Sequence, residues 1–165
     1  IGTGQARLTA TYDLTVVAGR LEISYVVSGD GAIEVEQRLE LPDADLPNIP
    51  RFGTQLTVAR DLQFVTWYGR GPHESYADRK TSARIARHSG LVEQQIHRYS
   101  RPQETGNKTD VRWIALTDED GLGLIAVSTK CRLMDTESLD RLWLCTLTQG
   151  CAAFAALTRL HPGLK

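Results

Sequence analysis

The sequence predicts an all-β protein, a single antiparallel β-sandwich domain spanning residues 1–165. Apolar and polar side chains alternate along most of the first three-quarters of the chain, which is the pattern of strands with one buried face. Turn residues interrupt this alternation about every 8–12 residues, as in sandwiches built from many short strands. A length of 165 residues, 41% of them hydrophobic, suffices for one buried core.

The first three strands are predicted from alternation and from one turn. Residues 5–14 interleave apolar and polar side chains, and residues 21–27 place an apolar side chain at every second position. Residues 28–31, Ser-Gly-Asp-Gly, are a turn signal, and residues 32–39 resume the alternation. The last two runs therefore predict a β-hairpin.

The middle of the chain is less regular. Three prolines within residues 41–50 predict a loop, because proline cannot donate to a sheet ladder. Strands are predicted over residues 51–58 and 63–67, and the second leads into a glycine turn at residues 69–71. Residues 80–108 are polar with few apolar anchors. They predict a long loop, a kind of segment that is usually functional or covered by a partner.

The last part of the chain divides into a clear hairpin and a tail. Residues 111–117 and 122–128 predict two strands joined by an Asp-Glu-Asp-Gly turn. In the tail, residues 129–165, coil, a short helix and a last strand all remain open. Residues 136–140 carry helix-capping residues, and the alanine-rich residues 152–157 are helix-prone.

Charge and hydropathy argue against two classes of partner. A net charge of −1 lacks the basic excess with which proteins bind nucleic acid or anionic membranes. No apolar run approaches the roughly 20 residues that cross a bilayer. The chain starts at Ile1 without a visible targeting signal, so we expect a fragment of a longer protein of the bacterial cytoplasmic type.

Cysteine and histidine positions argue against a metal site. Cys131, Cys145 and Cys151 are odd in number and form no Cys-x-x-Cys pair, which indicates buried reduced thiols rather than disulfides. The four histidines are scattered rather than at ligand spacing. We therefore expect no metal and no cofactor in this chain.

Most of the polar chemistry lies in residues 67–79, Trp-Tyr-Gly-Arg-Gly-Pro-His-Glu-Ser-Tyr-Ala-Asp-Arg. Glu74 and Asp78 are two carboxylates, the pair that acid/base work on a glycosidic bond requires. Glycosidase carboxylates usually lie on separate elements that flank a cleft. Two in one loop, beside Arg70 and Arg79, instead indicate a salt-bridged scaffold.

Aromatic and polar side chains in the same region also suit carbohydrate, because sugars stack on aromatic rings while polar groups bind their hydroxyls. Trp67 and Trp113 are expected in the core of their strands, whereas Tyr68 and Tyr76 are more open. His73, at a proline turn, is expected to be exposed or to form a simple hydrogen bond.

A second polar cluster spans residues 101–113, Arg-Pro-Gln-Glu-Thr-Gly-Asn-Lys-Thr-Asp-Val-Arg-Trp. It is a loop that leads into a strand, and its charges indicate either a solvated face or a loop that docks on a neighbouring domain. The Gly-x-Gly of residues 69–71 lacks a third glycine and a following helix, so a phosphate cradle is not indicated.

The order and spacing of these segments resemble the small chain, or C-terminal domain, of family 2 β-galactosidases. The segments are Pro-Arg-Phe-Gly at 50–53, the run at 67–79, Tyr-Ser-Arg-Pro-Gln-Glu-Thr-Gly-Asn-Lys at 99–108, Asp-Val-Arg-Trp at 110–113 and Gly-Leu-Gly at 121–123. The resemblance runs from about Gly4 to about Ser128. Residues 129–165 form an atypical tail, without the Gly-Gly-Asp-x-Ser-Trp loop of the family.

The resemblance implies a galactose-mutarotase-like supersandwich that partners a catalytic barrel or large subunit. It places the two catalytic glutamates, and the Mg²⁺ and Na⁺ of the family, in that barrel. This chain is therefore expected to be non-catalytic and to bind carbohydrate or buttress the barrel, and a homo-oligomer stays open. The carbohydrate- or domain-facing candidates are Arg70, His73, Glu74, Tyr76, Asp78, Arg79, Arg101, Glu104 and Asn107.

Two other functions stay open at this point. One is a stand-alone sugar enzyme, an aldose 1-epimerase that uses a His and a Glu as acid and base across a concave sheet. The other is a pure interaction module that binds a catalytic domain and no sugar.

Overall fold

The computed structural model is all-β, as predicted, and its strands form two antiparallel sheets. It describes residues 4–41, 52–101 and 103–128 in full, together with the backbone of strands 133–138, 141–145 and 151–160. The strands are β1 (Gln5–Leu14), β2 (Gly19–Ser28), β3 (Ile33–Glu40), β4 (Gly53–Thr57), β5 (Phe64–Gly71), β6 (Arg84–Leu91), β7 (Lys108–Thr109), β8 (Trp113–Thr117), β9 (Gly123–Ser128), β10 (Leu133–Ser138), β11 (Arg141–Cys145) and β12 (Cys151–Leu160). A short 3₁₀ helix, Val92–Gln95, follows β6.

The larger sheet has eight strands in the order β1-β2-β3-β12-β9-β8-β5-β6, and the smaller has four in the order β4-β11-β10-β7. The predicted hairpins β2–β3 and β8–β9 are confirmed. Each turns at a glycine with positive φ, Gly31 at 92° and Gly121 at 78°, where side chains other than glycine are strained. Both strands of each hairpin pair antiparallel without a register shift.

The core lies on one face of the larger sheet. Val65 and Trp67 of β5 are 2% and 1% exposed, and Ile114 and Leu116 of β8 point to the same core. Alternate residues of a strand share a face, so these pairs face inward together. Removing each such side chain from water contributes about 2 kcal/mol to folding. The expected core position of Trp67 is confirmed.

The smaller sheet packs on the larger one over β3. Leu56 of β4 packs against the core cluster, and Gln37 of β3 donates through Nε2 to Thr54 Oγ1 at 2.5 Å. Gln37 is only 4% exposed, so this hydrogen bond satisfies an amide that would otherwise be buried without an acceptor. The two sheets therefore form the sandwich that the sequence predicts.

The predicted glycine turn at residues 69–71 was wrong, because β5 continues through it. A Cβ on Gly69 would lie 2.8 Å from Val111 Cα, and one on Gly71 would lie 2.8 Å from a ring carbon of Trp67. Glycine is required here because neighbouring groups occupy the Cβ space of an extended strand. The chain turns afterwards, at the cis peptide bond before Pro72.

The long loop predicted over residues 80–108 was also wrong in part. Residues 84–91 form β6, which pairs with β5 along its full length. This strand is last in the order of the larger sheet, and its side chains are exposed or half-buried. An edge strand with both faces accessible to solvent needs few apolar residues. The sequence of β6 therefore lacks the alternation of apolar and polar residues by which other strands were predicted.

The helical alternatives for the tail were wrong as well. Residues 133–138 and 151–160 are strands. β12 lies between β3 and β9 and pairs with both, so backbone hydrogen bonds on two sides outweigh the helix propensity of its alanines. The proline-rich residues 42–51 and the cysteine side chains lie outside the described residues.

Across the part of the chain that the structure describes, no helix is long and apolar enough to span a membrane.

Candidate functional site

The two polar segments of the sequence meet beside the end of β5. The first loop, residues 72–83, follows β5, and the second loop, residues 96–107, leads into β7 and β8. Residue 102 of the second loop lies outside the described residues. These loops are far apart in sequence, so their contacts come from the fold rather than from local structure.

Ser75 anchors the first loop to the second. Its side chain is fully buried, and its N–H donates to the Asn107 carbonyl at 2.8 Å. Asn107 Nδ2 donates back to the Ser75 carbonyl at 2.7 Å, and the Thr109 N–H donates to Ser75 Oγ at 3.0 Å. Every bond in this set is buried and therefore costly to break. The predicted site residue Asn107 thus joins the two loops.

Arg70, near the end of β5, and Asp110, which follows β7, form a second link beside the loops. Arg70 Nε donates to Asp110 Oδ2 at 2.6 Å, and its Nη1 donates to the carbonyls of Lys80 at 3.1 Å and Ala83 at 2.8 Å. The two side chains are 24% and 12% exposed. Asp110 has a φ of 55°, an unusual value for a residue with a Cβ. One guanidinium therefore connects Asp110 to the C-terminal end of the first loop.

Glu74 points into the second loop and accepts several hydrogen bonds there. Tyr99 Oη donates to its Oε1, and Oε2 accepts from the Gly106 N–H at 3.0 Å and from Thr105 Oγ1 at 3.3 Å. Arg79 Nη2 lies 3.5 Å from Oε1. Both oxygens are thus engaged by donors, which fix the orientation of the carboxylate against the second loop.

Arg79 covers the outside of this arrangement. Its guanidinium carbon lies 4.4 Å from the centroid of the Tyr76 ring, and its Nη1 donates to Tyr99 Oη at 3.2 Å. Tyr76 and Arg79 also exchange two backbone hydrogen bonds, at 3.1 and 3.3 Å, across a tight turn. The loop scaffold that the sequence predicted for Arg79 and Glu74 is present as an ion pair.

Lys108 lies beneath both loops and is 1% exposed. Its Nζ donates to the Pro72 carbonyl at 2.9 Å and lies 4.8 Å from the centroid of the Trp67 ring. Burial lowers the pKa of Lys108 from 10.5 to about 8, although the negative charge of Glu74 acts in the opposite direction. A buried ammonium of this kind is a typical feature of functional sites.

A cleft of about 420 Å³ opens above Lys108, between the two loops and the 3₁₀ helix. It is lined by Pro72, His73, Glu74, Arg79, Gln94, Gln95, Ile96, His97, Tyr99 and Lys108. The helix contributes two amides, of which Gln94 accepts from the Leu91 N–H and Gln95 donates to the Leu91 carbonyl. The cleft is therefore lined by both polar and apolar groups and is open to solvent.

The structure brings some of the predicted site residues together and leaves others apart. His73, Glu74 and Arg79 line the cleft. Asp78, Arg101 and Glu104 are exposed outside it, and Asp78 forms no ion pair with any described residue. The expectation that Asp78 braces the loop was therefore wrong, and Asp110 takes that position instead.

Lys108 is a cleft residue that is not among the site residues predicted from the sequence. The run from 101 to 113 was interpreted as a solvated face or a docking loop, but residues 105–110 are all buried. Polar residues are rarely this buried unless they are hydrogen-bonded, and here they bond to the first loop. Gly106 and Asp110 of this segment adopt positive φ, at 79° and 55°, and glycine is the residue type that most readily adopts this conformation.

Acidic and histidine side chains do not converge as metal ligands in the described ranges. No group of three or more His, Cys, Asp or Glu side chains there has metal-binding geometry. The carboxylate of Asp110 instead accepts a hydrogen bond from the Arg70 guanidinium, and that of Glu74 accepts one from the Gly106 N–H.

Comparison with known families explains the motif order. The profile of the family described as beta galactosidase small chain matches residues 2–154. The chain belongs to this family. The match includes β10, β11 and the start of β12, so it extends beyond the residues on which the sequence motifs rest.

Similar proteins include several β-galactosidases. The chain is 47% identical over 103 residues to one from Priestia megaterium, covering 62% of the chain and 10% of that protein. It is 32% identical over 131 residues to one from Halalkalibacterium halodurans (77% and 13%) and 34% identical over 127 residues to BgaC of Bifidobacterium adolescentis (74% and 12%). The chain thus spans about a tenth of the length of these relatives.

Proposed function

We propose that the chain is a non-catalytic, C-terminal or small-chain part of a β-galactosidase, which as a whole hydrolyses terminal β-D-galactosides. In this proposal the two loops form a rigid surface that buttresses the catalytic portion of the enzyme. The observation that carries the proposal is the state of Glu74, whose two oxygens are engaged by Tyr99, Gly106, Thr105 and Arg79.

The carboxylates of the two loops support a structural role. Glycoside hydrolysis uses two carboxyl groups on either side of the scissile bond, one as acid and one as nucleophile or base. Glu74 is held by donors, and Asp110 is bonded to Arg70. Both act as hydrogen-bond acceptors that position the loops. The proposal therefore assigns bond cleavage to another part of the enzyme.

The proposal also assigns the metals of the enzyme to the catalytic portion. We expect dialysis of the purified chain against EDTA to leave its thermal unfolding midpoint unchanged. A fall in the midpoint that Mg²⁺ or Na⁺ reverses would contradict this assignment.

A trans-complementation assay tests the proposed function. The Priestia megaterium β-galactosidase is expressed without the segment that aligns with this chain, with and without the chain as a separate polypeptide. We expect the chain alone to release no nitrophenol from nitrophenyl β-D-galactopyranoside, and co-expression to restore hydrolysis by the truncated enzyme. Co-purification of the two polypeptides gives a second readout that does not depend on activity.

Two results would contradict the proposal. The first is hydrolysis by the chain alone, or accelerated mutarotation of galactose, that Glu74→Gln or His73→Ala abolishes. His73 and Glu74 line the same cleft, so this result would favour the epimerase alternative. The second is failure of the chain both to co-purify and to restore activity.

Carbohydrate binding is a separable part of the proposal. NMR titration of the labelled chain with galactose and lactose tests it. Chemical-shift changes confined to cleft residues such as His73, Gln94 and Tyr99 would support a surface that binds sugar. An unchanged spectrum together with successful complementation would leave a pure buttressing role.

A further inference from the structure

We infer that the cleft above Lys108 receives a carboxylate side chain from the rest of the β-galactosidase polypeptide, and that Lys108 is its buried ion-pair partner. This inference rests on the proposed function, because the chain would meet that polypeptide only as part of the larger enzyme. It makes the cleft a docking socket for an Asp or Glu side chain.

The first observation is the incomplete environment of the Lys108 ammonium. It carries three N–H donors, of which one is bonded to the Pro72 carbonyl, while the Trp67 ring lies against the ammonium. No described carboxylate oxygen lies within 4.0 Å of Nζ as an ion pair. A buried ammonium without a paired anion is unfavourable, so an entering carboxylate would relieve it.

The second observation is that Glu74, the nearby carboxylate, is already committed. Its oxygens accept from Tyr99, Gly106 and Thr105 and face Arg79. Its charge raises the pKa of Lys108, but burial outweighs it and the net shift is downward. Glu74 therefore acts as part of the cleft wall rather than as the counterion of Lys108.

The third observation is the charge of the cleft lining. Arg79, Lys108 and the two imidazoles of His73 and His97 face one carboxylate, Glu74. The lining thus has an excess of cationic or protonatable groups, which complements an anion. The remaining lining groups are uncharged: two glutamine amides, a tyrosine hydroxyl and the apolar side chains of a proline and an isoleucine. A neutral sugar would fill hydrogen bonds here but would leave the buried charge unpaired, so the structure favours a carboxylate.

The length of the relatives identifies the source of that carboxylate. The chain spans about a tenth of each curated β-galactosidase that it matches, so most of the polypeptide of such an enzyme lies outside it. The cleft faces solvent in this chain, and its volume of about 420 Å³ leaves room for a side chain to enter.

The first experiment probes the socket in the unmodified chain. Lysine labelled with ¹³C at Cε is titrated from pH 6 to 11 in sodium acetate, in acetamide with NaCl, and in NaCl alone, at equal ionic strength. We expect acetate to raise the pKa of Lys108 by about one unit relative to both controls, because the charged form gains an anion. Equal titration curves in acetate and NaCl would overturn the inference. A Lys108 response to galactose but not to acetate would also overturn it, in favour of a sugar subsite.

The second experiment separates this inference from the proposed function. Lys108→Met, which keeps the aliphatic stem and removes the charge, is compared with Lys80→Met, a half-exposed lysine, in the trans-complementation assay. We expect Lys108→Met to weaken association with the truncated enzyme at least about tenfold and Lys80→Met to leave it unchanged.

The folded state of each variant is verified by the NMR resonances of the core residue Trp67. If Lys108→Met restores the activity of the truncated enzyme as well as the wild-type chain does, the inference about Lys108 is overturned and the proposed function is left intact. No association even of the wild-type chain would instead contradict the proposed function itself.

Discussion

The ammonium of Lys108 links the folding of this chain to pH. Its pKa is about 8 in the folded protein, whereas an unfolded lysine titrates near 10.4. Between these two values the unfolded chain still holds a proton that the folded chain has lost. Raising the pH through this window therefore favours the folded state, by about 3 kcal/mol for the complete shift.

We expect this linkage to appear as a difference between wild type and Lys108→Met. Urea unfolding of both proteins at pH 7 and at pH 10 gives the two free energies of unfolding. The wild type should gain about 2–3 kcal/mol relative to the variant over this range, because Met carries no proton. A difference that stays constant from pH 7 to 10 would show that Lys108 titrates normally.

Glu74 is expected to contribute to stability through its charge. Glu74→Gln replaces one acceptor oxygen with an amide donor that would face the Gly106 N–H or Tyr99 Oη. We expect a loss of about 1–3 kcal/mol in the free energy of unfolding, since buried donors are left without an acceptor. Glu119→Gln, on the exposed turn, is the matched control and should change stability by less than about 0.5 kcal/mol. Equal effects would argue against the bracing role of Glu74.

At the residue scale, the sequence could place the motif residues but not their partners. The sequence shows Arg70, Glu74 and Arg79 as a charged segment. The ion pair between Glu74 and Arg79 could be predicted from it, because the two residues are close in sequence. The pairing of Arg70 with Asp110, 40 residues away, depends on how the two loops approach. Lys108 was hidden for the same reason, because the polar run around it resembles a solvated face.

At the element scale, β5 depends on glycines that lie within the strand. Gly69→Ala would bring a Cβ to 2.8 Å from Val111 Cα, a backbone atom that cannot rotate away. We expect a loss of about 1–3 kcal/mol in the free energy of unfolding. Gly4→Ala is the control, because its added Cβ meets nothing within 4 Å. Thermal or urea unfolding measures both, and an unchanged midpoint for Gly69→Ala would show that β5 shifts without cost.

Strand prediction succeeded where one face of a strand is buried and failed where tertiary contacts decide. β2 and β3 alternate in sequence because one face meets the core, and β8 and β9 are short apolar runs on either side of a clear turn. β6 is a wet edge strand without that signal, and alanine-rich β12 is a strand because neighbours pair with it on both sides. Propensity and periodicity describe a segment alone, whereas these two strands are fixed by their neighbours.

At the scale of the whole molecule, the strands of the larger sheet differ in how well they are protected from solvent. β1 is exposed over nearly all of its residues, while β5 and β8 carry buried core residues and pair with a strand on both sides. Local stability follows burial and backbone pairing, so opening should require least free energy at β1. We expect hydrogen–deuterium exchange at residues 5–14 to be faster than at residues 64–71 and 113–117. Uniform protection across these segments would contradict this ranking.

The position of β1 also bears on how the isolated chain behaves at high concentration. It stands at one end of the strand order and carries Leu8 and Tyr12, which are 65% and 51% exposed. A strand with one unpaired side and apolar side chains is a template onto which a second copy can add its own strand. Preparations of the separate chain should therefore form dimers or larger species as concentration rises, and Leu8→Lys should keep them monomeric in analytical ultracentrifugation. A chain that stays monomeric without this substitution would mean that β1 is protected by some other part of the polypeptide.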